Sequence, residues 1–573
     1  MVKLSAYERQ REINKARNRA LLDQLELKQA VEGLGFPDKK TAQKSKAKPV
    51  QPAKRVKKDS VEKDAPRRQS ARLRSSAAVV DPNESPSKKR KREACAHCIL
   101  ACAEEQERLA KEAEERIEAQ ERERLAKKPR HNDLDLVALT DEDAAAVASL
   151  SIELEHLTQN AQNAKAKARG DPEAFVFESE QDAKDQAQVE ELRERLQSLK
   201  VVARAKVTEN RVYSAAYHPE PTKDLIFFGD KHGQLGIWDA RAPPDEVDDE
   251  DGSQAETQEN GQYWRLQVHW PATSKSSISC VKLDPIDSHT VYTSAYDCTI
   301  RALSFTSGLS REIFSNDETL ICSMDFAPSG HELWISDAAG GVTHLDLRQD
   351  KSKGTWYQLS QAKIGSLSVN PTRENFLLTA SNSKELRIWD TRKLQSMITD
   401  LSLEPSTTEF DSDVVTQYRE SKDGQGCLRG EWRHDKSVSS AYWDPRGRGI
   451  VSTSYDDAIR IWDIHSPAFE SSKPFPSARP FCRISHNCQT GKWLTILRAQ
   501  WNPNPNVYPH FTIGNMNHSL DIISCKGERI TRLSDSSKIT AVQAVTCSHP
   551  SIVERAATGN ASGRCVLWAP VDA

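Results

Sequence analysis

One pattern recurs along most of the chain after Leu196 and limits the folds open to it: an alternating apolar run that ends in Pro, a turn, a second short run, a polar corner, and a third run closed by Trp-Asp. The opening run occurs as VYSAAYHP (Val212–Pro219), ISCVKLDP (Ile278–Pro285), ICSMDFAP (Ile321–Pro328), IGSLSVNP (Ile364–Pro371), VSSAYWDP (Val438–Pro445) and ILRAQWNP (Ile496–Pro503). A seventh copy, AVQAVTCSHP, ends at Pro550 with its register slipped by one residue. Alternation at period two is the signal of a half-buried strand. Proline lacks an N–H and stops the ladder. The closing run recurs as LGIWD, VTHLD, LRIWD, IRIWD and CVLW, with IRALS and SLDII as degenerate copies. Three short strands cannot bury two faces, so the units must stack on one another.

The prolines are separated by 66, 43, 43, 74, 58 and 47 residues. The short spacings match a WD repeat of about 40–45 residues, and the long ones leave room for surface insertions. Seven such units predict an all-β, seven-bladed WD-repeat β-propeller, each blade a four-stranded antiparallel sheet around a central channel. Fourth strands are expected at YWRLQVHW, SREIFS, GTWYQLS, CLRGEWRH, PFCRIS and RITRLS. The seventh blade runs out of chain before its fourth strand. LKVVARAKVT (Leu199–Thr208), ahead of the first repeat, is the natural candidate to close the ring and remove an exposed edge. His269 and His434 end fourth strands, where a WD repeat bonds a His to a turn Asp, and are read as structural.

The region ahead of the propeller has a different composition. Residues 1–37 read as an N-terminal amphipathic helix with Leu21, Leu22, Leu25 and Val31 on one face, stopped by Gly33, Gly35 and Pro37. Residues 38–102 read as a basic disordered tail, poor in aromatics. Between Lys39 and Arg92 the chain carries 19 Lys/Arg against 5 Asp/Glu, a balance of +14, although its total is −3. A basic block beside an acidic remainder points to a polyanionic partner. Residues 103–195 read as a charged, helix-prone linker, and 196–573 as the propeller.

Several classes are excluded or disfavoured. No apolar run approaches the roughly 18 residues of a membrane span, and the charged start MVKLSAYERQREINKARNRALL lacks a signal-peptide core. Twelve cysteines without framework spacing fit free thiols in a reducing compartment. CAHCILAC (Cys95, His97, Cys98, Cys102) contains a C-x₂-C pair, but no second pair lies nearby, so no metal site is expected. There is no P-loop, nucleophile elbow, paired-His motif or dinucleotide fingerprint, so neither an enzyme nor a cofactor is expected.

On the strength of YERQREINKARNRALL at the N-terminus, RRQSARLR (Arg67–Arg74), GDKHGQLGIWD (Gly229–Asp239) and GNMNHSLDI (Gly514–Ile522), the chain resembles the fungal WD-repeat DNA damage-binding protein family. That family is related to a nuclear WD-repeat protein of animals and, distantly, to the small subunit of the UV-damaged DNA-binding complex. The resemblance implies a nuclear, non-enzymatic protein that binds single- or double-stranded DNA, prefers UV-damaged DNA, and acts in DNA metabolism and the damage response.

Residues suited to that role fall in two places. In a propeller, the loops entering the first strands share one face with the second-to-third-strand turns. Arg211, Lys275, Lys363, Lys436, Lys492 and Lys538 precede six of the seven first strands; the third blade has Asp317 and Glu318 instead. Lys231 and Lys384 fall in the turns of the same face, with Tyr296 and Tyr455 offering planar groups for stacking on an unstacked base. Such a ring neutralises phosphates in a salt-sensitive, largely sequence-independent way, and damaged DNA is easier to bend and unstack. A plain solvated rim is the alternative reading of each residue. The second place is the tail: Lys54, Arg55, Lys57 and Lys58, then Arg67, Arg68, Arg72 and Arg74, then Lys88, Lys89, Arg90, Lys91 and Arg92, the last cluster also reading as a nuclear localisation signal. Ser70 follows Arg67 and Arg68 as basophilic kinases accept, and phosphate there would subtract charge. The acidic run Asp245–Asp251 reads as a solvated loop.

A different class is also open. Trp238–Arg241, Leu345–Arg348 and Trp389–Arg392 match a W-D-x-R box, with Leu345 replacing Trp. Propellers with this box resemble substrate receptors of cullin-4 ubiquitin ligases, and Arg241, Arg348 and Arg392 would carry adaptor binding. A chromatin scaffold binding histones is a third reading.

Overall fold

The computed structural model describes residues 131–571 apart from 132, 141–143, 162–181, 244–258, 317, 350–353, 401–407 and 476–478. The N-terminal helix, the basic tail with its thirteen candidate cations, Ser70, the CAHCILAC stretch, Asp317 and the acidic run 245–251 lie outside the described residues.

Seven sheets follow one another in chain order, each with four antiparallel blade strands running from inner to outer. The inner strands are Val212–Tyr217, Ile278–Leu283, Ile321–Phe326, Ile364–Val369, Val438–Trp443, Gln500–Trp501 and Gln543–Ser548. Each packs against the next, and the seventh packs against the first, so the ring is closed. Leu199–Lys206 pairs antiparallel with Arg564–Pro570, the third strand of blade seven, and supplies its missing outer strand. Between the blades lie fully buried apolar side chains, Trp238, Trp334, Trp389 and Trp568 the largest. Burying such a side chain contributes roughly 1.5–3 kcal/mol over leaving it exposed.

The charged stretch ahead of the propeller contributes to its core. Helices α1 (Leu136–Leu139) and α2 (Ala144–Ala161) bury Leu136, Leu139, Leu150, Leu154 and Leu157 in one cluster with Phe227, Leu235 and Phe305 of blades one and two. Helix α3 (Asp182–Gln197) lays Val189, Leu192 and Leu196 against blade six, in a cluster with Ile530 and Leu533.

Two features depart from the sequence expectation. The insertion of blade four folds as α4 (Thr391–Asp400), a strand Thr408–Phe410 and α5 (Ser412–Glu420). That strand adds in parallel to the outer strand Thr355–Gln358 of blade three, where Phe410 stacks on Tyr357 with centroids 5.4 Å apart. An insertion has thereby covered its neighbour's open edge. The run ILRAQWNP pairs only at Gln500 and Trp501. The residue just ahead of it reaches blade one, where the Thr495 hydroxyl donates to the Val212 carbonyl at 2.5 Å, while the Leu497 carbonyl accepts from the Thr453 hydroxyl of blade five at 3.3 Å.

Candidate nucleic-acid interface

The entry face, on which the chain enters each inner strand, is shaped by tight turns. In blade one, Asp230 Oδ1 accepts from the backbone N–H groups of His232 and Gln234 at 2.7 and 2.8 Å. Gly233 closes the turn at φ +86°, where a Cβ would lie 2.5 Å from the His269 carbonyl. Lys231 sits at the head of this turn. In blade four the equivalent turn holds Lys384 at φ +76°, the left-handed region that a side chain occupies at an energetic cost. Lys384, Lys275, Lys436, Lys492 and Lys538 are exposed. Lys231, Lys384, Lys436 and Lys492 make no ion pair with the described residues.

Residues 486–498 form a strap that crosses this face. Asp457 holds one end: its Oδ1 accepts from the Cys488 N–H at 2.9 Å, and the Tyr455 hydroxyl lies 3.4 Å from that of Thr490. Blade one holds the other end, with Arg211 Nη1 donating to the Lys492 carbonyl at 3.1 Å beside the Thr495 contact. Arg211 and Tyr455, which the sequence offers as ligand contacts, therefore anchor the strap. At its crest Lys492 and Trp493 point outward, and Trp493 is 82 % exposed. It is the sole exposed tryptophan among the described residues. Lys363 and Tyr296 come together nearer the axis: Lys363 Nζ donates to the Tyr296 hydroxyl at 2.9 Å, and another contact puts Nζ 4.9 Å from that ring's centroid. Lys538 Nζ donates to the Val201 carbonyl of the closing strand.

The buried histidines belong to the scaffold. His269 Nδ1 faces Asp297 Oδ2 at 3.0 Å, and its Nε2 meets the Thr293 hydroxyl at 2.8 Å. His434 meets the Ser452 hydroxyl at 3.0 Å, and burial lowers its pKa to about 4.

Arg241, Arg348 and Arg392 lie on the opposite face. Arg348 grips Asp346 through Nε and Nη2, both at 2.9 Å, and Arg392 grips Asp390 in the same bidentate way. Their outer surfaces stay free, at 62 and 60 % side-chain exposure. Arg241 differs: it turns to Asp224 at 2.6 Å. Beside Arg392 a cleft of about 310 Å³ is lined by Pro328, Arg373, Phe376 and Phe469.

Trp493 and the strap were not expected from the sequence. A signal was present: Trp493 stands in TGKWLT, a polar stretch outside every Trp-Asp closing run. No helix among the described residues is long and apolar enough to cross a membrane, and no group of three metal-binding side chains occurs among them. The nine described cysteines are free thiols.

Fold and surface together define a WD-repeat β-propeller with a cationic, aromatic-bearing entry face. The family model described as WD domain, G-beta repeat matches residues 426–463, which run from the outer strand of blade four through the third strand of blade five. DNA damage-binding protein CMR1 of Cryptococcus neoformans is 41 % identical over 435 residues, covering 67 % of this chain and 72 % of that protein. The protein of the same name from Phaeosphaeria nodorum is 31 % identical over 99 % of both chains, and that from Mycosarcoma maydis 29 % identical over all of both. The chain belongs to this fungal DNA damage-binding protein family.

Proposed function

We propose that the protein is a nuclear, non-enzymatic DNA-binding protein with a preference for UV-damaged duplex, acting in the DNA damage response. The observation that carries this reading is the strap crest, where exposed Trp493 stands next to Lys492, on the face that also carries Lys231, Lys384 and Lys436. Cations without ion pairs neutralise phosphates by displacing counterions. An exposed indole stacks on a base that a lesion has already loosened, at a gain of about 1–3 kcal/mol. The relatives' name agrees with this reading, and the basic tail residues Lys54–Arg92 would add long-range attraction and nuclear import. Titrating the full chain against intact and UV-irradiated duplex over a range of salt, with W493A and K492E beside it, tests the assignment. A preference for the irradiated duplex that W493A erases supports it; equal binding of both duplexes by the unaltered chain refutes it.

A second reading is favoured by the opposite face. Arg348 and Arg392, on adjacent blades, are oriented by their aspartates, exposed, and flanked by a cleft. This arrangement suits docking on the adaptor of a cullin-4 ubiquitin ligase. Loss of adaptor co-purification in R348A/R392A is the expected result, and unchanged co-purification rejects it. A histone-binding role has no comparable feature among the described residues.

A further inference from the structure

The outer strand of each blade has one edge that no strand of its own blade pairs, and in six of the seven blades another segment lies against that strand. Segments ahead of the ring serve three blades. Leu134 exchanges backbone hydrogen bonds with Ser310 of blade two at 3.1 and 2.9 Å. Helices α1 and α2 bury leucines in one cluster with Trp264 and Leu266 of the outer strand of blade one. On blade six, Arg193 of α3 donates to the Ile530 carbonyl at 3.2 Å. The other three outer strands are served by the blade that follows, through the connection between its third and outer strands. Thr408–Phe410 of blade four lies on blade three. From blade five, the Phe475 N–H donates to the Arg429 carbonyl of blade four at 2.7 Å. From blade one, the Asn260 N–H donates to the Arg204 carbonyl of the closing strand at 3.0 Å.

Blade five is the exception among the described residues. Its cover would have to come from blade six, whose third and outer strands, Leu520–Ser524 and Arg529–Leu533, are joined by the short turn 525–528. Gly527 of that turn meets Cys482 and Ile484, on the side of the blade rather than its edge. The outer strand Cys482–Ser485 pairs with Ala458–Asp463 on its inner side. The His486 N–H donates to the Asp457 carbonyl at 3.1 Å. In an antiparallel ladder that phase turns the N–H and C=O groups of Arg483 and Ser485 away from the partner strand. Neither residue's backbone makes a further hydrogen bond among the described residues. Arg483, Ser485 and the preceding Arg479 are exposed, and Phe481 is 53 % exposed. Arg479 and Arg483 make no ion pair with the described residues. An open edge of this kind is a template for pairing with another segment.

We propose that this edge is a docking site for an extended, acidic segment of a partner protein, which adds a fifth strand to blade five. The backbone groups of Arg483 and Ser485 supply the pairing, and the side chains beside them supply the selection. Phe481 and Arg483 are two residues apart and share a side of the strand. The matching segment therefore carries a carboxylate two positions from an apolar residue. Four residues of strand span about 13 Å, the length of a short linear motif. A second copy of this chain is a poor occupant, since it would set arginine against arginine, and like charges on paired strands are destabilising. Trp493 and the entry-face lysines take no part, so this site and the DNA-binding reading can each fail without the other.

The test is binding of a fluorescein-labelled eight-residue peptide, in which threonine alternates with valine and glutamate in turn, to the full chain, read by fluorescence polarisation and amide hydrogen exchange. Saturable binding is expected, with exchange slowed at Arg483 and Ser485. R483E should weaken binding by about threefold to tenfold. Lysine in place of the peptide's glutamates should abolish binding to the unaltered chain and restore it to R483E, a gain that a misfolded variant cannot show. Of two peptides N-methylated at opposite alternate residues, the one whose methyl groups face the edge should fail to bind and the other should bind. No saturable binding to the unaltered chain overturns the inference, as does equal binding of the two methylated peptides. Arg483 and Ser485 amides already protected in the peptide-free chain at low concentration assign the edge to another segment of this chain. Protection that grows with protein concentration assigns it to a second copy, and either result overturns the inference.

Discussion

The two faces of the propeller use charge in opposite ways. On the opposite face, arginines are tied to aspartates at strand ends: Arg446 to Asp444, Arg448 to Asp463, Arg348 to Asp346, Arg392 to Asp390 and Arg241 to Asp224. On the entry face, Lys231, Lys384, Lys436 and Lys492 have no such partner among the described residues, and Arg460 is the arginine held by a turn aspartate, Asp456. An ion pair fixed within a blade holds a turn or strand end in place and leaves little net field. An unpaired lysine holds nothing and projects its field into solvent. The difference separates a face whose charges are neutralised locally from a face available to a polyanion.

The largest expected effect comes from breaking the scaffold pairing. Arg446 and Asp444 are both fully buried, so D444A strands a guanidinium and should cost about 3–5 kcal/mol. The check is a large fall in Tm, with DNA affinity lost only where the protein unfolds.

Acid should act next and probe the same packing. Burial lowers His218, His434 and His510 to about 4 from an ordinary 6.5. The unfolded chain therefore takes up protons first as pH falls. Their contribution is complete above about pH 6.5 and declines down to about pH 4, with a slope approaching about 1.4 kcal/mol per pH unit for each histidine. Tm measured at pH 7.5, 6 and 5 should fall progressively. A flat profile would mean that these rings are not held neutral.

W493A should leave Tm unchanged, because the ring is exposed, and should reduce affinity for irradiated duplex by about 1–3 kcal/mol while sparing intact duplex. K436E and K492E should weaken both duplexes alike and lower the salt slope by about 1 for each phosphate contact removed. The smallest effect on the fold is expected for R348A/R392A, whose side chains project to solvent; Tm and DNA affinity should both stay close to those of the unaltered protein.

The propeller was legible in the sequence because its determinants are local and repeated. Each inner strand shows its alternation and its stop at Pro, and Leu199–Lys206 reads as a strand without a hairpin partner. What lay beyond reach depends on where chain segments travel in space. Arg211 and Tyr455 sit at the positions expected of ligand contacts, yet they hold the strap, because residues 486–498 cross to blade one instead of dropping into the next blade. Leu136, Leu150 and Leu192 looked like scattered apolar residues in a charged linker, since the faces they cover belong to blades hundreds of residues away or next in line.

The closing strand has a consequence for biosynthesis. Leu199–Lys206 leaves the ribosome about 360 residues before its partner Arg564–Pro570. At roughly 5–20 residues per second, the interval is on the order of 20–70 seconds. During that time six blades can assemble, while this strand, with Val201, Ala203 and Ala205 on the side later buried, has no edge to join. The gap in the ring seals only when the last strand emerges, so a nascent chain of this protein has to protect one unpaired segment for more than half of its translation.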